Sequence, residues 1–296
     1  MRDKVASGVA WSIAEKVGSM LLQMGVSIVI LRLLTPEQMG IMAIPVVFSS
    51  LALVMVDSGF SQTLIRKAVP SEEDYKSVFV FNIAVSVLLY LLLVGAMPWI
   101  ARFYGMPELV RIAPVLFLLV PLNALCVIQN TIFTRQFRFA RRSKVVFTSS
   151  LVSGLVAIGI WSLVGQRVVA MGVRAMLLWG LSDWRPRAAF DAGRLRAMAP
   201  YSFRLLATDL ISSVYNNVSQ LFVGKLYAAD VLGFFNQAQK LKELPVTSTM
   251  QAVQSVTFPA LSKIADDERK FAESYRQVVM IVAFVMLPMM AGLIVV

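Results

Sequence analysis

The sequence predicts an all-α protein, a polytopic bundle of transmembrane helices, on three observations. Hydrophobic residues make up 58% of the 296-residue chain, charged residues only 15%, and mean hydropathy is +0.72. A soluble domain of this size carries about 25% charge to cover its surface, so lipid must solvate much of this one. Seven windows, 17–31, 38–56, 77–101, 112–134, 145–166, 210–224 and 277–296, contain no Asp, Glu, Lys or Arg. Finally, the net charge of +11 is concentrated in short clusters between those windows rather than spread along the chain.

The windows set the elements. A spanning helix needs about 20 mostly apolar residues. Windows 77–101 and 112–134 meet that unaided; 17–31 and 210–224 meet it with a turn or two of mixed sequence at each side. Pro36, Pro70, Pro107 and Pro186 fall in the interruptions, where helix boundaries favour them. The stretch 145–181 is broken only by Arg167 and Arg174. Charge decides how it is divided. Arg135, Arg138, Arg141, Arg142 and Lys144 precede it, and Arg185, Arg187, Arg194 and Arg196 follow. Two strongly basic flanks belong on the same, cytoplasmic side, so the chain crosses an even number of times, with a tight turn near Gly159. On this topology eighteen of the 28 basic residues lie in inner segments, the N-terminus is cytoplasmic, and about nine spans are present. The chain stops at Val296 inside the apolar run VMLPMMAGLIVV, which reads as a C-terminal truncation.

Several chemistries are excluded. There is no His, which removes the commonest metal ligand and general base. Cys126 is the sole cysteine, so neither a disulfide nor a paired-cysteine metal site is expected. No paired-carboxylate, Gly-rich phosphate or metal-ligand pattern appears, and no connection is long enough for a catalytic domain. The chain is read as a non-enzyme with no metal and no cofactor. Clustered basic loops argue against nucleic acid as a partner, and no cleavable signal is expected.

An internal repeat organises the chain. Residues 27–43, SIVILRLLTPEQMGIMA, align without gaps on 220–236, QLFVGKLYAADVLGFFN, at an offset of 193. Leu33 matches Leu226 and Gly40 matches Gly233; Arg32/Lys225 and Glu37/Asp230 keep charge sign. Both copies comprise a span end, a short outer loop and the next span's start. By this offset the polar segment 231–258 is the counterpart of 38–65, a further span whose polar stripe faces a watery interior. The chain then divides into a six-helix lobe, 1–196, and the first three helices of an incomplete second lobe, 197–296. A binding site between parallel repeats is a recurrent transporter design.

Within this frame, LRLLTPEQMG at 31–40 followed by VDSGFSQTLIRK at 56–67 resembles the opening of the polysaccharide-type flippases. That family shares its superfamily with the MATE exporters and the lipid II flippase. GIWSLVGQ at 159–166, LGFFNQAQKL at 232–241 and FPALS at 258–262 resemble later landmarks in the same order. The resemblance implies a MATE-like two-lobed fold around a central cavity open to one face at a time. It also implies an undecaprenyl-pyrophosphate-linked oligosaccharide as substrate, with a polysaccharide polymerase and assembly proteins as further partners beside membrane lipids. The expected location is the bacterial inner membrane. Relative to the family pattern, the helices around 145–181 are several residues short.

Charges inside a bilayer cost roughly 2.5–3.5 kcal/mol each even on a lenient scale, so they should face a cavity or a partner. Lys16, Arg204 and Lys240 are the candidates to bind pyrophosphate or acidic sugars, since cationic side chains donate charge-assisted hydrogen bonds to phosphate. Snorkelling to the headgroups is the competing reading. Asn216, Asn217 and Gln220 are candidates for sugar hydroxyls, and Glu15 and Asp209 for ion coupling. Asp57 is read as structural, capping a break or pairing with Arg66; Arg167 and Arg174 are left open between cavity and structural roles. Basic intramembrane residues (those named and Lys242) outnumber acidic ones six to three. That balance favours an anionic cargo over the alternative, a MATE-type multidrug or cation antiporter.

Overall fold

The structure is a computed structural model. It describes residues 35–57, 59–136, 139–155, 160–239, 243 and 268–295. All regular structure in them is helical: α1 (Pro36–Asp57), α2 (Phe60–Arg66), α3 (Glu72–Tyr104), α4 (Leu109–Phe117), α5 (Leu119–Arg135), α6 (Phe139–Leu155), α7 (Ile160–Leu181), α8 (Ala192–Leu226) and α9 (Glu268–Val295). Residues 229–239 are helical as well. The chain is thus an all-α helical bundle. Among the described residues four segments are long and apolar enough to cross a membrane: Pro36–Arg66, Glu72–Tyr104, Leu109–Arg135 and Arg269–Pro288.

Local chemistry explains where the helices start. Thr35 and Gln38 bond each other's side chain and main chain at 3.2 and 3.3 Å, a capping box at the start of α1, with Pro36 at the first helical position. Ser71 and Asp74 make the equivalent box for α3, whose first turn also carries Glu72 and Glu73 against the helix dipole. Asp191 caps α8 through the Gly193 N–H at 2.8 Å. Between α1 and α2 the chain turns at Gly59, where φ is +69°, a left-handed conformation that strains any residue with a Cβ.

The chain forms two compact units, residues 1–233 and 234–296. In the first, α1 is the central element and packs on α3, α4, α5 and α8. Its run Gly40–Pro45 is buried without a break, and Ile41, Ala43 and Ile44 share a core with Leu109, Ala113, Leu116, Phe117 and Val120. A second core joins α2 to α3 and α5 through Phe60, Leu64, Val78, Ile128 and Ile132. By contrast α3 leaves Leu88, Leu91, Leu92 and Trp99 at 57–70% exposure, the apolar surface expected of a helix solvated by lipid. The described part of the second unit is dominated by α9, whose Arg269 and Glu273 pair at 3.4 Å one turn apart.

Window 112–134, read as one span, lies within the single apolar segment Leu109–Arg135, whose helix carries a local break at Leu118 between α4 and α5. Pro121 has no N–H to donate to the Phe117 carbonyl, so the ladder is interrupted there. Of the two structural roles read for Asp57, the pair with Arg66 is not formed, since Arg66 lies over the Tyr201 ring at 4.6 Å; Asp57 faces Ser61 at the start of α2, in keeping with the other role, a cap at the break. The stretch 145–181 lies in two helices, α6 and α7, packed on each other, with 156–159 outside the described residues.

Candidate functional site

The interface between α1–α2 and α8 gathers most of the predicted polar residues that the structure describes. At the C-terminal end of α1, a Cβ on Gly59 would stand 2.6 Å from the Ser202 carbonyl oxygen, so α8 passes close by only because position 59 is glycine. Thr63 and Ser202 share a hydrogen bond of 2.7 Å, and Phe60 meets Phe203 edge-on at 6.3 Å. At the N-terminal end of α1, Gly224 of α8 lies against Ile44 and Tyr104. Ser202 and Gly224 therefore mark one contact face of α8.

Between those marks the same face is polar. At about 100° per residue, Asp209, Ser213, Asn216, Asn217 and Gln220 all fall within about 60° of the line through Ser202. Asp209 and Asn216 are exposed; Asn217 and Gln220 are half-buried. Asn217 donates from Nδ2 to the Ser213 carbonyl at 2.7 Å, one turn back in its own helix. Arg204 is exposed but lies on the opposite face of α8. Glu15, Lys16, Lys240 and Lys242 lie outside the described residues. Arg167 and Arg174 are half-buried on α7, with Arg174 near Cys126 of α5.

Sequence reasoning missed an ionic girdle at the C-terminal end of α2. Fully buried Asp74 accepts from Lys67 Nζ at 2.6 Å and from Arg194 at 3.4 Å; Arg194 also donates to Ser71 Oγ at 2.8 Å and pairs with Glu73 and Asp191. Arg135 donates to the carbonyls of Leu64, Ile65, Lys67 and Ala68, closing the end of α2. Trp184 Nε1 donates to Glu72 Oε2 at 2.7 Å. The only sequence signal was density of charge at 66–76 and 185–196. A cavity of about 240 Å³ beside the girdle is lined by Glu72, Tyr75, Ile132, Phe133, Gln136, Ser182, Asp183 and Trp184. It is smaller than the roughly 300–1,000 Å³ of small-molecule sites and has no cation in its lining, so it does not suit an anionic cargo.

An all-α bundle with apolar helices long enough to cross a bilayer defines a membrane helical-bundle protein. The chain belongs to the family described as "Polysaccharide biosynthesis protein", whose profile matches residues 29–296. It is similar to the succinoglycan biosynthesis transport protein ExoT of Rhizobium meliloti (strain 1021), at 24% identity over 98% of this chain and 60% of that protein. The teichuronic acid biosynthesis protein TuaB of Bacillus subtilis (strain 168) is 26% identical over 82% of this chain and 52% of its own length. The lipopolysaccharide biosynthesis protein WzxC of Escherichia coli (strain K12) is 24% identical over 100% of this chain and 62% of its own. The chain thus spans 52–62% of the length of these curated relatives. No solved structure matches the chain.

Proposed function

We propose that the protein translocates an undecaprenyl-pyrophosphate-linked oligosaccharide across the bacterial inner membrane, by alternating access between a six-helix lobe (1–196) and a second lobe beginning at residue 197. The polar stripe of α8 carries the reading: Asp209, Asn216, Asn217 and Gln220 share a face that meets α1 in an otherwise apolar bundle. Polar groups in an apolar bundle are placed away from lipid, which supports a polar rather than lipid-facing role for this stripe. Lys16, Arg204 and Lys240 are the cations proposed to take the pyrophosphate, Arg204 from the face of α8 opposite the stripe, with Asn216, Asn217 and Gln220 on sugar hydroxyls. Glu15 and Asp209 are the proposed coupling carboxylates. The N-terminus is cytoplasmic on this reading, no catalysis is involved, and a polysaccharide polymerase and assembly proteins act downstream.

On the flippase reading Asp209 serves as a coupling carboxylate; in the alternative, a MATE-type antiporter, the acidic residues serve a cationic cargo. Both are tested in a strain lacking the gene. Lys16→Ala, Arg204→Ala and Lys240→Ala, at normal expression, should each lower surface-polysaccharide assembly several-fold. Full assembly in all three, or drug resistance lost in their place, overturns the flippase reading.

A further inference from the structure

The two copies of the internal repeat meet each other. A Cβ built on Gly40 would stand 2.7 Å from the carbonyl carbon of Ala229 and 3.1 Å from the Gly233 nitrogen. A Cβ built on Gly233 would stand 2.7 Å from the carbonyl carbon of Pro36 and 3.2 Å from the Gly40 nitrogen. The carbonyl oxygens of Ala229 and Pro36 are nearer still. Positions 36 and 229, like 40 and 233, are related by the 193-residue offset of the repeat. The contact is therefore isologous: each segment offers the other the same carbonyl and the same glycine, as across a two-fold axis.

Main chain touches main chain here, and only a hydrogen fits between, the arrangement of Cα–H···O contacts at close helix crossings. No side-chain hydrogen bond or ion pair crosses between Pro36–Gly40 and Ala229–Gly233 among the described residues. One side-chain tie lies beside it: Lys225, at the end of α8, donates to the Phe103 carbonyl and stands 4.1 Å over the Phe103 ring. Leu232, within the second segment, is fully buried in the core that holds Ile41 and Ile44, so the seam is held by main-chain contact, apolar packing and one solvent-facing lysine, with no directional side-chain bond between the two segments to fix it.

We infer that Pro36–Gly40 and Ala229–Gly233 form a breakable clasp on the outer side of the bundle, requiring glycine at both positions 40 and 233. The inference deepens the proposed function and rests on its membrane orientation: the clasp is the seam that parts when the site opens outward. A methyl group at either glycine wedges the two carbonyl–glycine steps apart and biases the chain toward the parted state.

The test uses the whole chain in its native membrane, with buried Cys126 replaced by Ala and half-buried Ala229→Cys as reporter. A membrane-impermeant maleimide is added from outside and the rate of thiol labelling at position 229 is followed. Gly40→Ala and Gly233→Ala should each speed labelling about tenfold. The double variant should be little faster than either single, because one contact cannot be broken twice. Lys225→Met, which loosens the tie without adding bulk to the crossing, should give a smaller rise. Unchanged labelling in a folded glycine variant overturns the clasp. If both glycine variants fail to fold, unchanged labelling in Lys225→Met does so. The rate is read without any glycan, so the clasp and the cargo assignment stand or fall by separate measurements.

Discussion

The two ends of α1 meet the α8 region by opposite means. At Pro36–Gly40 the closest contact is main chain on main chain, symmetric under the repeat, beside buried Leu232 and a single lysine tie. At Gly59–Arg66 it is asymmetric and rich in side chains: Thr63 on Ser202, Phe60 on Phe203, Arg66 over Tyr201, backed by the Lys67–Asp74–Arg194 girdle. The first kind of contact is governed by size, because one added carbon abolishes it. The second is governed by chemistry, and is spread over several weak terms that rarely all fail together. A bundle that must open at one end and stay tied at the other is served by this division.

The sharpest way to break the contrast is to impose a size test on the chemical end. Gly59→Val should destabilise the protein by about 3 kcal/mol. Part comes from a non-glycine residue held at positive φ, and part from the clash with the Ser202 oxygen and with Leu205 Cβ, 2.8 Å from the added Cβ. A thermal-denaturation midpoint in detergent that is unchanged from wild type would mean that α1 and α8 are free to separate here too. Arg135→Met should cost less, about 1–2 kcal/mol, since four carbonyls at the end of α2 lose a charged donor yet lie at a surface where water replaces it in part. Its signature is local: faster amide hydrogen exchange over 64–68 with α1 unaffected.

The same contrast explains what could be read from sequence. The break in α1–α2 was legible because DSG carries a residue suited to positive φ, and the Gly40/Gly233 match was legible because a repeat preserves what symmetry requires. The division of 145–181 into two helices followed from basic flanks. In contrast, Arg135 bonds main-chain carbonyls 67–71 residues away, and nothing in a sequence marks a carbonyl as needing a donor. Asp74, in the first turn of α3, is the buried centre of an ionic network that no sequence pattern singles out. The start of the second lobe, placed at 197, falls inside α8, which runs on from Ala192 through Pro200; an exposed proline near a helix start removes a donor that no core atom needed. At the candidate site, Arg204 reads from sequence into one cavity with Asn216, Asn217 and Gln220, whereas on α8 it falls on the opposite face from them. The match of the Asn216 face to α1 needed coordinates.

The smallest effect is the most discriminating. Thr63→Val and Ser202→Ala each remove one partner of the 2.7 Å hydroxyl pair, and each should cost about 0.5–1.5 kcal/mol, or less where water reaches the survivor. Combined in a double-mutant cycle read by thermal denaturation, they should show a coupling energy of about 0.5–1 kcal/mol, because both changes delete one bond. Thr63 also donates to the Gly59 carbonyl at 3.0 Å, so the single Thr63 variant should be the costlier of the two. The same pair separates a permanent tie from a second seam. If the α2–α8 end stays closed while the Gly40 end opens, the coupling is the same in the Gly40→Ala background as in wild type. A coupling that vanishes in that background would show that both ends part together, and that α8 moves as a rigid unit away from α1 rather than swinging about its Ser202 end.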